Sequence, residues 1–369
     1  LLGALKNSDE QMYKLRVDSV ENDVTYFDSV GNLYISLLKV QGCFESYFSE
    51  KEDEEKEVSW NAEMDDDILL DLYFKVIKFI KIHEMLDDNY QIYGSFDYYD
   101  NYTIYLYCIN PSENLKNLSE NARSTIFFSA TLLPVNHYKE LLTGNREDRA
   151  IYIESPFDPK NRVIVCDRTV TSRYTRRGSI EYNKIFNAIK ETVMQKQGNY
   201  MVFFPSYKML GDVKEIMIEN CFDMDVKIIE QSSGMTEKER EDFLGEFNND
   251  SLMTKVGLCV LGGIFSEGID LKEESLIGCI IVGTGIPQIG NERNVIKDYY
   301  DGRGRSGFEY AYRYPGMNKV LQAAGRVIRT EEDKGVIVLL DERFSQWQYK
   351  EIMRSEERRV GKECRSRWS

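Results

Sequence analysis

The stretch "VGLCVLGGIFSEGIDL", Val256 to Leu271, joins an apolar, strand-forming run to a loop with adjacent glycines, a hydroxyl and two carboxylates. Its first half is apolar at consecutive positions, as a strand must be when helices cover both faces of its sheet. Similar short runs recur on either side: "YTIYLYCI" (102–109), "STIFFSAT" (124–131), "NRVIVCD" (161–167), "YMVFFP" (200–205), "VKIIE" (226–230), "LIGCIIVG" (276–283) and "GVIVLLD" (335–341). Helix-compatible segments at 179–197, 206–219, 236–248 and 315–329 separate them. Strands alternating with helices predict an α/β fold with a parallel sheet. Ligands of such sheets gather at the carboxyl ends of the strands, so the loops just after these runs are where chemistry is expected.

The 369 residues can hold two or three domains, and 42% hydrophobic with 12% aromatic content is enough for proper cores. Neither an uncharged apolar run of about eighteen residues nor a basic-then-apolar leader occurs, so the chain reads as soluble, cytoplasmic and without membrane contact. The seven cysteines lack a CxxC pair and read as reduced core thiols. With only His83 and His137, a histidine-rich metal site is not expected. The net charge of −15 argues against nucleic acid, but it is uneven. "EKEDEEKE" (50–57) and "EMDDD" (63–67) concentrate acid, whereas "DRTVTSRYTRRG" (167–178) and "DGRGRSGFEYAYRY" (301–314) are basic and aromatic, and a local basic groove can outweigh the global balance.

Apolar residues near three-and-four spacing predict a helix over about 21–50, with Gly31 and Gly42 as candidate breaks, and a second helix over 65–86. The chain begins at Leu1 rather than Met and is expected to start inside a longer reading frame. "RSEERRVGKECRSRWS" (354–369) resembles the translated read-through of a sequencing-library adapter, so authentic protein is expected to end near Met353.

Three strand-end motifs carry the chemistry. "SATLLP" (129–134) offers small hydroxyl residues and a helix-opening proline, and also reads as a plain helix cap. "GGIFSEGIDL" (262–271) allows close backbone approach, with Glu267 and Asp270 able to take ribose hydroxyls or couple to cations; a turn with a cap is the alternative. "VLQAAGRVIRT" (320–330) places Gln322, Arg326 and Arg329 at i, i+4 and i+7, one face of a helix. Two guanidiniums there suit a polyphosphate, with surface salt bridges as the alternative.

The order "SAT", "FFPSY", "GGIFSEGIDL", "QAAGRVIR" resembles motifs III to VI of superfamily 2 helicases, and "FSEGIDL" followed by "QAAGRVIRTEEDKGVIVLLDERF" is similar to the DinG and XPD branch. The resemblance covers roughly residues 102–344 and implies two RecA-like domains that clamp ATP while single-stranded DNA crosses their faces. It implies a helical arch-like insertion at 1–100, the end of the first RecA-like domain with the SAT motif at 101–160 and a second RecA-like domain at 161–353. Arg326 and Arg329 become arginine fingers, with Gln322 near phosphate or water. Glu267, Gly268, Asp270 and Gly325 fall at the nucleotide, and Ser129, Ala130 and Thr131 couple nucleotide state to DNA. Arg173, Arg176 and Arg177 are candidate nucleic-acid contacts. No GxxxxGK[ST] and no DEAH-type box occurs, so ATP and Mg2+ would be held mainly by an N-terminal half lying outside this chain. The cysteine spacing does not support an iron–sulfur cluster here. The chain is thus expected to be the C-terminal part of an ATP-dependent DNA helicase with a role in DNA repair, inactive as an ATPase alone. The alternatives are a stand-alone, non-catalytic nucleic-acid-binding protein derived from a motor, and an RNA-directed motor of the same superfamily.

Overall fold

A computed structural model describes residues 1–19, 24–54, 63–153, 155–248, 253–266 and 276–353. The 354–369 tail lies outside them. The described chain forms two compact units, one of Leu1–Thr125 with Glu140–Gly144, the other of Ile126–Lys139 with the chain from Asn145 onward.

The first unit holds α1 (Leu2–Val17), β1 (Val24–Phe27), α2 (Gly31–Glu54), α3 (Glu63–Glu84), β2 (Tyr90–Phe96), β3 (Tyr102–Cys108) and α4 (Ser112–Ser119). The helix expected from about 21 therefore starts only at Gly31. Val24–Phe27 is β-branched and aromatic and pairs with β2, while Ser29 Oγ accepts the Gly31 N–H at 3.0 Å where the helix begins. Gly42 does not break α2. Its Val40 and Phe44 pack with Val76 and Ile80 of α3. The strands form an antiparallel sheet in the order β1-β2-β3, so the boundary expected at 100/101 falls inside the β2–β3 hairpin. Phe27, Ile92, Ile104 and Leu106 share one side of this sheet and pack with Val30, Leu33 and Phe79.

In the second unit β4 (Arg162–Asp167), β5 (Asn199–Phe204), β6 (Val226–Glu230), β7 (Thr254–Val260), β8 (Gly278–Val282) and β9 (Gly335–Leu340) form an all-parallel sheet in the order β4-β9-β8-β5-β7-β6. The fold is α/β and RecA-like. Successive side chains alternate between its faces. Tyr200, Val202 and Phe204 of β5 pack with Ile185, Ile189, Val213 and Met217 of α6 (Ser179–Val193) and α7 (Tyr207–Glu219). Met201 and Phe203 face the other layer, with Phe243 of α8 (Glu237–Gly245) and Met317, Val320 and Leu321 of α10 (Tyr314–Ala324). Each β5 side chain from Met201 to Phe204 is fully buried. The linker from β8 to α10 adds α9 (Asn291–Asp301), and α11 (Trp347–Lys350) follows β9.

Two expected strands behave differently. Residues 124–131 form no strand, and Ile126 and Phe128 are 81% and 89% exposed. Residues 102–109 do form one, but it is antiparallel, belongs to the first unit and alternates between exposed and half-buried positions. The cysteines divide as well: Cys259 and Cys279 are buried, whereas Cys43, Cys108 and Cys166 are half-buried and Cys221 is exposed, so core thiols describe only part of the set.

Candidate functional site

Because every strand of the second unit is parallel, the segments that follow β4, β5, β7, β8 and β9 emerge at one edge of the sheet. After β7, Leu261 turns back into the core and Gly262 takes φ +77°, a conformation that glycine adopts without strain. A Cβ at Gly262 would lie 2.8 Å from Lys319 Cδ and Cε, so a lysine of α10 is packed against this loop. The loop is closed on itself: Ser266, fully buried, accepts the Gly262 N–H on Oγ at 2.8 Å, and its own N–H donates to Gly263 O at 2.9 Å. Behind it, buried Gln231 accepts the Val260 N–H at 3.0 Å and donates to the Tyr207 hydroxyl at 2.9 Å, joining the segments after β5, β6 and β7.

Arg326 reaches the same loop. Its Nε and Nη2 both donate to Ser266 O, at 3.2 and 2.8 Å. Glu267, Gly268 and Asp270 lie outside the described residues. The expected helical face of Gln322, Arg326 and Arg329 is corrected by the structure: α10 ends at Ala324, with Gly325 as its C-cap. Val327 and Ile328 are buried, and Val327 packs where a side chain at Gly335 of β9 would stand, 2.2 Å from its Cγ1. Drawing those two residues into the core unwinds the backbone between the arginines. Past them, Asp333 Oδ2 accepts the N–H groups of Arg329 and Thr330, both at 2.7 Å, and turns the chain toward β9. Gln322 stays on α10, partly exposed, and Gly325 is exposed.

Ser129 and Thr131 form a local turn in which the Thr131 N–H donates to Ser129 Oγ at 3.2 Å; Ser129 and Ala130 are exposed. α10 holds the next residues. With its amide oriented so that the oxygen accepts from the Tyr138 hydroxyl, Asn318 donates to Thr131 O at 3.3 Å and Leu133 O at 3.2 Å. Burial pushes the Tyr138 hydroxyl up and keeps it protonated as the donor. Lys319 and Asn318 were not singled out from sequence. Both stand inside an otherwise ordinary amphipathic helix, and only the fold reveals what they face.

Arg173, Arg176 and Arg177 lie in the segment after β4, and each has a protein partner. Arg173 Nε pairs with Glu342 Oε1 at 3.0 Å, Arg176 Nη2 with Glu181 Oε1 at 2.9 Å, and Arg177 Nε donates to Ser172 O at 3.3 Å. Burial raises the Glu181 carboxyl, but hydrogen bonds from Lys184, the Thr171 N–H and Arg176 outweigh it and hold the group below its usual value. Arg177 also lies over the Tyr174 ring at 5.4 Å, beside a groove of about 670 Å³ lined by Tyr174, Tyr182, Lys208, Asp212 and Glu215 among others. Nearby, fully buried Asp341 accepts from Arg343 Nε at 2.8 Å, Arg343 Nη2 at 2.9 Å and Ser172 Oγ at 2.8 Å. No group of His, Cys, Asp or Glu among the described residues converges to hold a metal ion, and none of their helices is long and apolar enough to cross a membrane.

Comparison with known proteins agrees with this architecture. Residues 189–359 match the model of the helicase C-terminal domain. Over 76% of this chain there is 30% identity to a protein of Methanocaldococcus jannaschii named probable ATP-dependent helicase, and 64% of the chain is 25% identical to a 3'-5' exonuclease DinG of Staphylococcus saprophyticus. The chain spans 43% and 26% of those two relatives' lengths. A solved XPD helicase structure superposes over 80% of this chain and 54% of its own, with a TM-score of 0.54 at 20% identity, a likeness of fold. With the parallel sheet and the strand-end motifs in the order they take along the chain, these likenesses place the protein in the family of DinG- and XPD-like superfamily 2 helicases.

Proposed function

We propose that this chain is the C-terminal part of an ATP-dependent DNA helicase and supplies the wall of the ATP site that faces the γ-phosphate. The observation that carries the reading is the anchored guanidinium of Arg326. It is fixed to the backbone of the glycine-rich loop after β7, with Lys319 packed on the same loop, at the carboxyl edge of a parallel sheet. A planar guanidinium held to the backbone through two N–H groups is oriented before the substrate arrives. Arg329, past the end of α10, is the second finger, and Gln322 and Gly325 are nearby phosphate or water contacts. Glu267, Gly268 and Asp270, next in the sequence, are the proposed nucleotide contacts. The sequence has no phosphate loop, and we assign the cradle for ATP and Mg2+ to an upstream RecA-like domain of the same protein. Ser129, Ala130 and Thr131 would pass nucleotide state to the DNA track: the segment from Thr131 to Leu133 is hydrogen-bonded to α10, the helix that leads into both arginines.

Single-stranded DNA is the proposed track. The groove beside Arg177 sets Tyr174, Tyr182 and Lys208 among the carboxylates of Asp212, Glu215 and Glu219, and its aromatic and cationic members offer the pairing of stacking surface and cation that sequence-independent strand binding uses. The existing partners of Arg173, Arg176 and Arg177 make them donors shared with the fold. In the protein restored with its upstream half, Arg326→Ala or Arg329→Ala is expected to lower ATP turnover by roughly three orders of magnitude, the scale of an arginine finger, while DNA binding survives. Turnover within a few-fold of the parent in a folded variant rejects the finger assignment. Measurable ATP hydrolysis by the chain alone rejects the half-site reading.

A further inference from the structure

The charge of the chain is concentrated. Residues 1–125 contain 25 acidic and 11 basic residues, a net −14 out of −15 for the whole chain. Within that unit the three-stranded sheet has two unlike faces. One packs Phe27, Ile92, Ile104 and Leu106 against the helices. The other carries a row of tyrosines, because Tyr26 is the cross-strand partner of Tyr93 and Tyr93 that of Tyr105. Tyr93 and Tyr105 stack at 4.7 Å and 12°, and Tyr26 meets Tyr93 edge-on at 6.2 Å. Tyr93 is buried in the middle, while Tyr26 and Tyr105 remain 51% and 37% exposed. Six of the eighteen strand residues are tyrosine and none is charged.

The hairpin between β2 and β3 carries two further tyrosines. Tyr98 and Tyr99 at its tip are 96% and 80% exposed, and the tip is fastened: Asp97 Oδ1 accepts the N–H groups of Tyr99 at 2.8 Å and Asn101 at 2.9 Å, and Asp100 is tied to Arg16 at 2.8 Å. Hydrogen bonds from the Asn101 side chain and backbone hold the Asp97 carboxyl below its usual range, so the fastening persists through neutral pH. Large, rigid aromatics presented by a preorganised turn lose little entropy on binding and are the common anchors of protein interfaces.

A tyrosine face can receive nucleobases or cations, and the charge decides between them. Nucleic acid brings a dense row of phosphates toward a unit whose net charge repels them, whereas its usual binding surfaces are basic. An arginine-rich segment reverses the sign: guanidiniums lie over tyrosine rings for about 0.5–1 kcal/mol each at exposed sites, and the acidic unit steers them in. Asp28, Asp87, Asp88, Asp97 and Asp100 follow or precede the strands at their ends. The chain already contains one such pairing, since Arg16 Cζ lies 5.7 Å from the Phe96 ring centroid while its Nη2 binds Asp100.

We propose that the tyrosine face and hairpin tip of the first unit form a docking site for an arginine-rich segment of a partner protein. The test titrates the chain, at physiological ionic strength, against fluorescein-labelled oligo-arginine and oligo-lysine peptides and a labelled oligothymidine strand, following anisotropy. Tyr98→Ser with Tyr99→Ser alters the exposed tip, Tyr26→Ser with Tyr105→Ser alters the face, and neither pair changes the net charge. Each pair is expected to weaken oligo-arginine binding roughly tenfold, with oligo-lysine bound more weakly by the parent. Should the face variant misfold in a circular-dichroism melt, the tip variant, outside the core, still decides. Equal affinity of parent and folded variants for oligo-arginine, which marks bulk charge attraction, overturns the proposal, as does tyrosine-dependent capture of oligothymidine.

Discussion

Asp341 shows how a single buried charge sets the floor of the candidate site. It is fully buried where β9 ends, and Arg343 and Ser172 satisfy both of its oxygens. Burial raises this carboxyl, but the Arg343 hydrogen bonds and charge, with the Ser172 N–H, prevail and leave it below its ordinary value. A depressed carboxyl contributes stability that is present above the unfolded value, about pH 4, and is lost as pH falls through the folded value. Asp341→Asn should therefore cost about 3 kcal/mol near neutrality, because it leaves the Arg343 guanidinium buried without its counter-charge. The deficit should narrow on acidification as the parent loses its own advantage. Urea unfolding midpoints of both proteins across that range check the prediction, and a deficit that stays constant down to the lowest pH refutes it. The pair was not legible in sequence: "LLDERF" shows a charged cluster after a strand, and nothing in the string says that one acid points inward and the next, Glu342, toward Arg173.

At the scale of the element, the strands of the second unit were legible because burial on two faces leaves an unbroken apolar run. From "NRVIVCD" to "GVIVLLD", each expected strand of this unit matches an observed one within about two residues, the usual uncertainty of element ends. The end of α10 was not legible. Helical spacing continues through Arg329 in the sequence, but Val327 is drawn against Gly335, a residue of the next strand, and tertiary packing overrides the local period. Gly335→Ala tests that account. The added Cβ would lie 2.2 Å from Val327 Cγ1 and 2.8 Å from Ile277 O, so the segment carrying Arg326 and Arg329 must shift. A loss of about 1–3 kcal/mol is expected, the ordinary cost of overpacking a core. In the restored helicase ATP turnover should fall with little change in DNA affinity; unchanged turnover would show that the arginines tolerate displacement. β1 and β2 escaped notice because a four-residue strand and a polar-flanked hairpin carry too few positions for a period to emerge.

At the scale of the molecule, the two flanks of α5 (Val135–Thr143) behave unlike the rest of the second unit. Ile126 and Phe128 on one side, and Ile151 and Ile153 on the other, are between 81% and 89% exposed, although the segment 124–131 that holds the first two reads as a strand. An apolar run without sheet partners leaves both its side chains and its backbone groups open to pairing with another chain. The parallel sheet beginning at Arg162, by contrast, fills both of its faces with its own helices. Residues 162–353 alone should therefore be monomeric and unfold in one cooperative urea transition. The full chain should self-associate as its concentration rises. Replacing Ile126 and Phe128 by aspartate should reduce that association, since charges on an open edge block strand addition. Light scattering coupled to gel filtration measures all three proteins. A full chain that stays monodisperse at high concentration, or an association indifferent to the aspartates, would place the sticky surface elsewhere.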